Sequence, residues 1–106
     1  MSELASLSRR DDGVYVLRGE LGFKTVSQLL SHSAELFRGD KKEIAVDLSE
    51  VTRADSAGLS LLIQWWRQAL AMNRAICYMN LPTQMLVMAQ LGGVDELLPM
   101  TKAEYR

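Results

Sequence analysis

Glu43-Ile44-Ala45-Val46-Asp47-Leu48-Ser49-Glu50-Val51-Thr52-Arg53-Ala54-Asp55-Ser56-Ala57-Gly58-Leu59 passes from one backbone periodicity to another within a single stretch. Ile44, Val46 and Leu48 alternate with Glu43, Ala45 and Asp47, the period of a strand. From Leu59 onward apolar residues recur at three- and four-residue spacings, which predicts a helix over about Ala57 to Met72. Between the two, Ser49 to Ala54 reads as a turn that delivers Asp55-Ser56-Ala57-Gly58 to the helix start. A helix N-terminus carries about four unpaired N–H donors and roughly half a positive charge, so a side-chain oxygen of Asp55 or Ser56 can cap it. The same geometry aims a hydroxyl, a carboxylate and backbone N–H groups at one patch of surface, a place for a partner to dock. Gly58 suits both readings: lacking Cβ, it admits another backbone or relaxes the first turn.

Working outward, Leu4 to Arg9 reads as a first strand, Asp11-Asp12-Gly13 as a turn, and Val14 to Arg18 as a second strand, together a hairpin. Gly19-Glu20-Leu21-Gly22 breaks the pattern. Thr25 with Gln28 forms a capping box for a helix carrying Val26, Leu29, Leu30, Leu36 and Phe37, ended by Gly39. Beyond the long helix come a turn at Asn73, a strand Ala75 to Met79, and a helix opened by Pro82 and closed by Gly92-Gly93. Val94 to Leu98 adds one helical turn. The order strand, strand, helix, strand, helix, strand, helix predicts an α/β fold: a mixed, mostly parallel sheet of about four strands with helices packed on it.

The 106 residues, 48% of them hydrophobic, suit one domain spanning 1–106 with a sizeable core. Twelve Lys and Arg against 13 Asp and Glu leave a net charge of -1, which gives no electrostatic footprint for nucleic acid or an anionic membrane surface. No apolar run approaches the roughly 20 residues of a membrane span, so direct insertion is not expected. The start lacks the apolar stretch of a signal peptide and Cys77 has no second cysteine, which points to the cytoplasm.

Catalytic readings find little support. His32 is the sole histidine, read as a mid-helix surface residue, and no cluster of nitrogen or sulfur ligands accompanies it, so no metal or cofactor is expected. Cys77 lies among apolar strand neighbours, the setting of a buried inert thiol. Ser56 has only carboxylates nearby as a base, and there is no phosphate-binding Gly-x-x-x-x-Gly-Lys loop.

On a wheel of about 100° per residue, Leu59, Leu62, Ile63, Trp66 and Leu70 fall together and form the expected sheet-facing side. Leu61, Trp65 and Met72 gather opposite. Either Trp65 is partly exposed or folds against a neighbouring helix, or this second stripe is a partner surface with Trp65 as its anchor. Met85 and Met88 on the last helix suit core filling or an adaptable contact surface.

Val46-Asp47-Leu48-Ser49 followed by Val51-Thr52-x-x-Asp55-Ser56-x-Gly58-Leu59 resembles the signature of STAS domains, the sulfate-transporter and anti-sigma-factor-antagonist family. Leu17 to Leu21 is similar to that family's second strand and turn, and Leu91-Gly92-Gly93-Val94 to its final helix end. Stand-alone antagonists of the family carry Asp-Ser-Ser-Gly and are phosphorylated on the second serine, where Ala57 stands in this chain. The resemblance leans instead to MlaB-like proteins, STAS subunits of a bacterial phospholipid ABC transporter that helps keep outer-membrane lipids asymmetric. It implies a non-catalytic subunit, peripheral to the inner membrane through an ATPase and, beyond it, a permease and a lipid-binding subunit. The expected partner-binding residues are Asp55, Ser56, Ala57 and Gly58 at the junction that carries the resemblance, with Leu61 and Trp65 from the second stripe of the helix. The alternative is an anti-sigma factor antagonist that binds a serine kinase and is switched by phosphorylation of Ser56. Gly22, where many members have Asp, departs from the pattern.

Overall fold

The computed structural model describes residues 4–93; the helical turn expected at Val94 to Leu98 lies outside them. Strands β1 (Ala5–Arg9), β2 (Tyr15–Leu21), β3 (Glu43–Ala54) and β4 (Ala75–Met79) form a sheet in that spatial order. The first pair is antiparallel and the other two parallel, the mixed sheet that the element order predicts. Helices α1 (Val26–Leu30) and α2 (Ser33–Leu36) cross from β2 to β3, α3 (Ser56–Ala71) crosses from β3 to β4, and α4 (Thr83–Leu91) follows β4. No helix among the described residues is long and apolar enough to cross a membrane.

Two segments read as breaks are strand. Gly19-Glu20-Leu21 completes β2, and Ser49 to Ala54 completes a 12-residue β3, because the two run side by side as far as the pair Leu21 and Ala54. Pairing shifts register near Gly19, whose φ is +92° and whose missing Cβ leaves room for the Leu4 carbonyl. Such irregularities re-aim a strand without ending it.

The helix expected from Thr25 to Phe37 is instead two short ones. Ser31, His32 and Ser33 lie at the break, and the Ser31 hydroxyl donates back to the Gln28 carbonyl, a local bond that competes with helix continuation. His32 is thus an N-cap residue, half-buried, rather than mid-helix. Nor does Thr25 make a capping bond: fully buried, it donates to the Glu20 carbonyl and accepts from the Gly22 N–H, tying the end of β2 to the start of α1. Gln28 donates to the carbonyl of Ala5 on β1.

The orientation of α3 also differs from expectation. Its buried residues are Gly58, Leu59, Leu61, Leu62, Trp65 and Ala69, while Ile63 and Trp66 are half-buried and Leu70 is 55% exposed. Counting large apolar side chains on a wheel overlooks Gly58, where the helix comes against the Leu21 backbone, and the fully buried Ala69. Trp65 is 0% exposed and its indole N–H donates to Ser33 Oγ at 2.8 Å. Leu61, at 2%, is equally enclosed, and Met72 is exposed as the residue that ends the helix. On the sheet, Leu17, Ile44, Val46, Leu48, Ile76 and Tyr78 complete the core, with the Tyr78 hydroxyl donating to the Leu62 carbonyl at 2.7 Å. Burial raises that phenol well above its ordinary pKa.

Candidate functional site

The site lies at the carboxyl end of β3, where α3 begins. In open sheets with parallel strands, ligands and partners meet the chain at such ends. Asp55 is the N-cap: its Oδ1 accepts from the N–H of Ala57 at 2.8 Å and of Gly58 at 3.3 Å. Its Oδ2 accepts from the N–H of Phe23 at 3.1 Å, so one carboxylate joins the β2–α1 loop to the head of α3. The Phe23 N–H, joined by those of Gly58 and Ala57, outweighs the opposing effect of burial and holds the Asp55 carboxyl below its ordinary pKa. It is an anion at neutral pH, committed to backbone donors.

Two glycines make this arrangement possible. A Cβ on Gly22 would stand 2.6 Å from Asp55 Oδ2, and one on Gly58 would stand 2.1 Å from the Leu21 carbonyl oxygen. Gly22 therefore keeps the space that the capping carboxylate fills. A side chain there would collide with Asp55 unless the loop moved. Gly58 lets α3 rest directly on the end of β2.

The six expected contact residues consequently divide three and three. Asp55 and Ser56 are exposed and Ala57 half-buried, together at the helix head. Gly58, Leu61 and Trp65 are buried against this chain's own β2, sheet and α2, which corrects their assignment to an accessible partner surface. The Ser56 hydroxyl makes no hydrogen bond among the described residues, since Asp55 has taken the capping role.

Phe23 is the residue that sequence reasoning passed over. It is 84% exposed, in the loop that Asp55 holds, and it borders a groove of about 340 Å³ with Lys24, Arg53, Asp55 and Gln84. An exposed aromatic beside a rigid polar turn is the composition of an interface centre. Its signal in the sequence was a large apolar residue between Gly22 and Lys24, outside any periodic stretch. Among the described residues no group of three or more His, Cys, Asp or Glu side chains could hold a metal ion, and Cys77 is half-buried on β4.

Fold and site together define an α/β module with a mixed four-stranded sheet and a rigid, exposed turn at the head of α3. A family model described as Mlab, STAS domain matches residues 6–99, and the chain belongs to that STAS family. Solved structures agree on the fold. An anti-sigma factor antagonist from Mycobacterium paratuberculosis superposes with a TM-score of 0.71 at 21% identity, covering 92% of this chain and 84% of that one. The anti-sigma factor antagonist SpoIIAA in its unphosphorylated form gives 0.67 at 21% identity, over 95% and 90% of the two chains. A STAS protein of Planctomyces limnophilus gives 0.69 at 19% identity, over 95% and 93%. A comparison with curated proteins found no match.

Proposed function

We propose that this chain is a non-catalytic cytoplasmic STAS subunit that binds and supports the ATPase of a phospholipid ABC transporter of the Mla type. The observation that carries the reading is the head of α3: Ser56 presents an exposed hydroxyl and Ala57 replaces the serine on which antagonists of the family are phosphorylated. A head fixed by Asp55 loses little conformational entropy when a partner packs on it, which favours a constitutive subunit contact. Phe23 supplies the apolar anchor of that contact in place of Trp65, and the docking surface is the β2–α1 loop together with Asp55, Ser56 and Ala57. The family model, described as Mlab, supports the same direction.

The second reading is an anti-sigma factor antagonist. It is favoured by the exposure of Ser56 and by likeness in fold to the three antagonist structures. A phosphate on Ser56 would add about -1.5 to -2 charges beside the Asp55 carboxylate, enough to expel a partner packed there.

Co-purification of the tagged chain from native membranes, with partners identified by mass spectrometry, separates the two. The expected result is recovery of a transporter ATPase, reduced at least about tenfold, or 1.4 kcal/mol, by Phe23→Ala and by Ser56→Asp. Both sites are exposed, so the stability of the isolated chain should stay within about 0.5 kcal/mol. Recovery of a serine kinase or anti-sigma factor instead would establish the second reading, and equal recovery of the ATPase with both variants would overturn the proposed surface.

A further inference from the structure

At the other end of the sheet, where β3 starts and β1 ends, lies a cavity of about 200 Å³ that the docking surface does not use. Arg9, Arg38, Lys41 and Arg74 line it, against two carboxylates, Asp40 and Glu43. In a chain of net charge -1 this is a local excess of positive charge.

Arg74 gives the cavity its character. Only 8% exposed, it donates from Nε to the Lys41 carbonyl and from Nη1 to the Phe37 carbonyl, each at 2.7 Å, and its guanidinium sits 5.9 Å from the Phe37 ring centroid. These partners are dipoles and a ring face, none of them a counter-charge. Buried charges are ordinarily paired, because leaving water costs far more than neutral groups return. Among the described residues, no carboxylate lies within ion-pair distance of Arg74 or of the other three cations. A guanidinium has five N–H donors, and Nη2 makes no hydrogen bond among the described residues.

Arg9 and Lys41, which line the same cavity, also bring their charged ends close to one another. Lys41 Nζ lies 2.7 Å, and Arg9 Nη2 3.6 Å, from the point where a Cβ on Gly13 would stand. Two like charges are therefore held over one turn glycine, at a cost that an anion between them would remove. Because Arg74 also fastens the carbonyls of residues 37 and 41, the segment bearing Arg38 and Lys41 is set in place before any ligand arrives. Preorganised donors of this kind, planar guanidinium together with ammonium, match the oxygens of a phosphate group.

We propose that this cavity is a binding site for a phosphate group, recognised by Arg74 at its wall and by Arg9, Arg38 and Lys41 at its rim. The ligand is a phosphomonoester or phosphodiester, and the same chemistry is met in a free phosphate compound and in a phospholipid headgroup.

The test follows the Arg74 side-chain Nε–H resonance by NMR during titration with inorganic phosphate and, separately, with sodium chloride at matched ionic strength. Saturable movement with phosphate alone is expected, with affinity weakened about tenfold, or 1.4 kcal/mol, in Arg38→Gln/Lys41→Gln. Both of those residues are exposed, so the fold is retained where Arg74→Gln would release the loop. Co-sedimentation with phosphatidylcholine vesicles, with and without phosphatidic acid, identifies the source. Binding that needs phosphatidic acid and is lost in the double variant assigns a headgroup, and phosphate binding without vesicle binding assigns a soluble ligand. Movement reproduced by sodium chloride, or an unchanged affinity in the double variant, would overturn the site.

Discussion

Asp55 performs two tasks with one carboxylate: Oδ1 closes the first turn of α3 and Oδ2 holds the loop that carries Phe23. The capping role was legible in the sequence, because Asp ahead of an apolar periodic run is a frequent N-cap. The second role was not, since it depends on Gly22 being folded back against residue 55, a contact 32 positions or more apart that no local pattern encodes. Gly58 shows the same limit. From sequence it admits some close backbone; in the fold that backbone is Leu21. Gly58→Ala should therefore destabilise the chain by about 2 kcal/mol or more, despite the gain of about 1 kcal/mol that alanine brings to a helix interior. Urea unfolding measures this, and a variant as stable as the parent would show that α3 can shift off β2 without cost.

At the scale of the element, α3 has two apolar stripes, and the larger one by side-chain size is the less buried. Its angular position is set by the approach of the Leu21 backbone at Gly58 and by the Trp65 indole reaching Ser33 on α2. Hydrophobic periodicity identified the helix and nearly its ends, expected at Ala57 to Met72 and observed at Ser56–Ala71, but periodicity alone cannot choose between two stripes. The short helices fail for a related reason: a polar run, Ser31-His32-Ser33, decides continuity, while the apolar spacing runs through it. A substitution pair separates the stripes. Trp65→Ala should cost about 3–5 kcal/mol, the usual range for emptying a fully enclosed aromatic site, whereas Trp66→Ala, at a half-buried position, should cost clearly less. Thermal unfolding of both variants checks this, and the reverse order would return Trp65 to the surface. It follows that Trp65→Arg is no test of a partner interface, because it places a charge in the core.

Across the whole molecule, Asp47 joins parts that the core alone does not. Its side chain is 6% exposed; Oδ1 accepts from Asn80, just past β4, and from the Ser49 N–H, while Oδ2 meets Arg10 of the β1–β2 turn at 3.0 Å. Two loops distant in the chain are thus gathered on one carboxylate of β3. Burial pushes this carboxyl up, and the bonds from Asn80 and Ser49 together with the Arg10 charge outweigh it, so its pKa in the folded chain is held below the ordinary value. The sign follows from that depression. Stability from the Asp47 charge is fully present above the ordinary carboxylate pKa of about 4 and is lost as pH falls through the lower folded value. Asp47→Asn should lower stability at neutral pH by about 1–3 kcal/mol, the usual cost of weakening a buried charged hydrogen-bond set, and should flatten the acid limb of the stability curve. Urea unfolding of parent and variant between pH 7 and the acid limit, roughly pH 2, tests both parts. The two curves should converge on acidification, because the parent's carboxyl is then protonated and the variant has no such charge to lose. Curves that stay parallel would mean that Asp47 holds the loops by shape and neutral hydrogen bonds, with its charge immaterial to the fold.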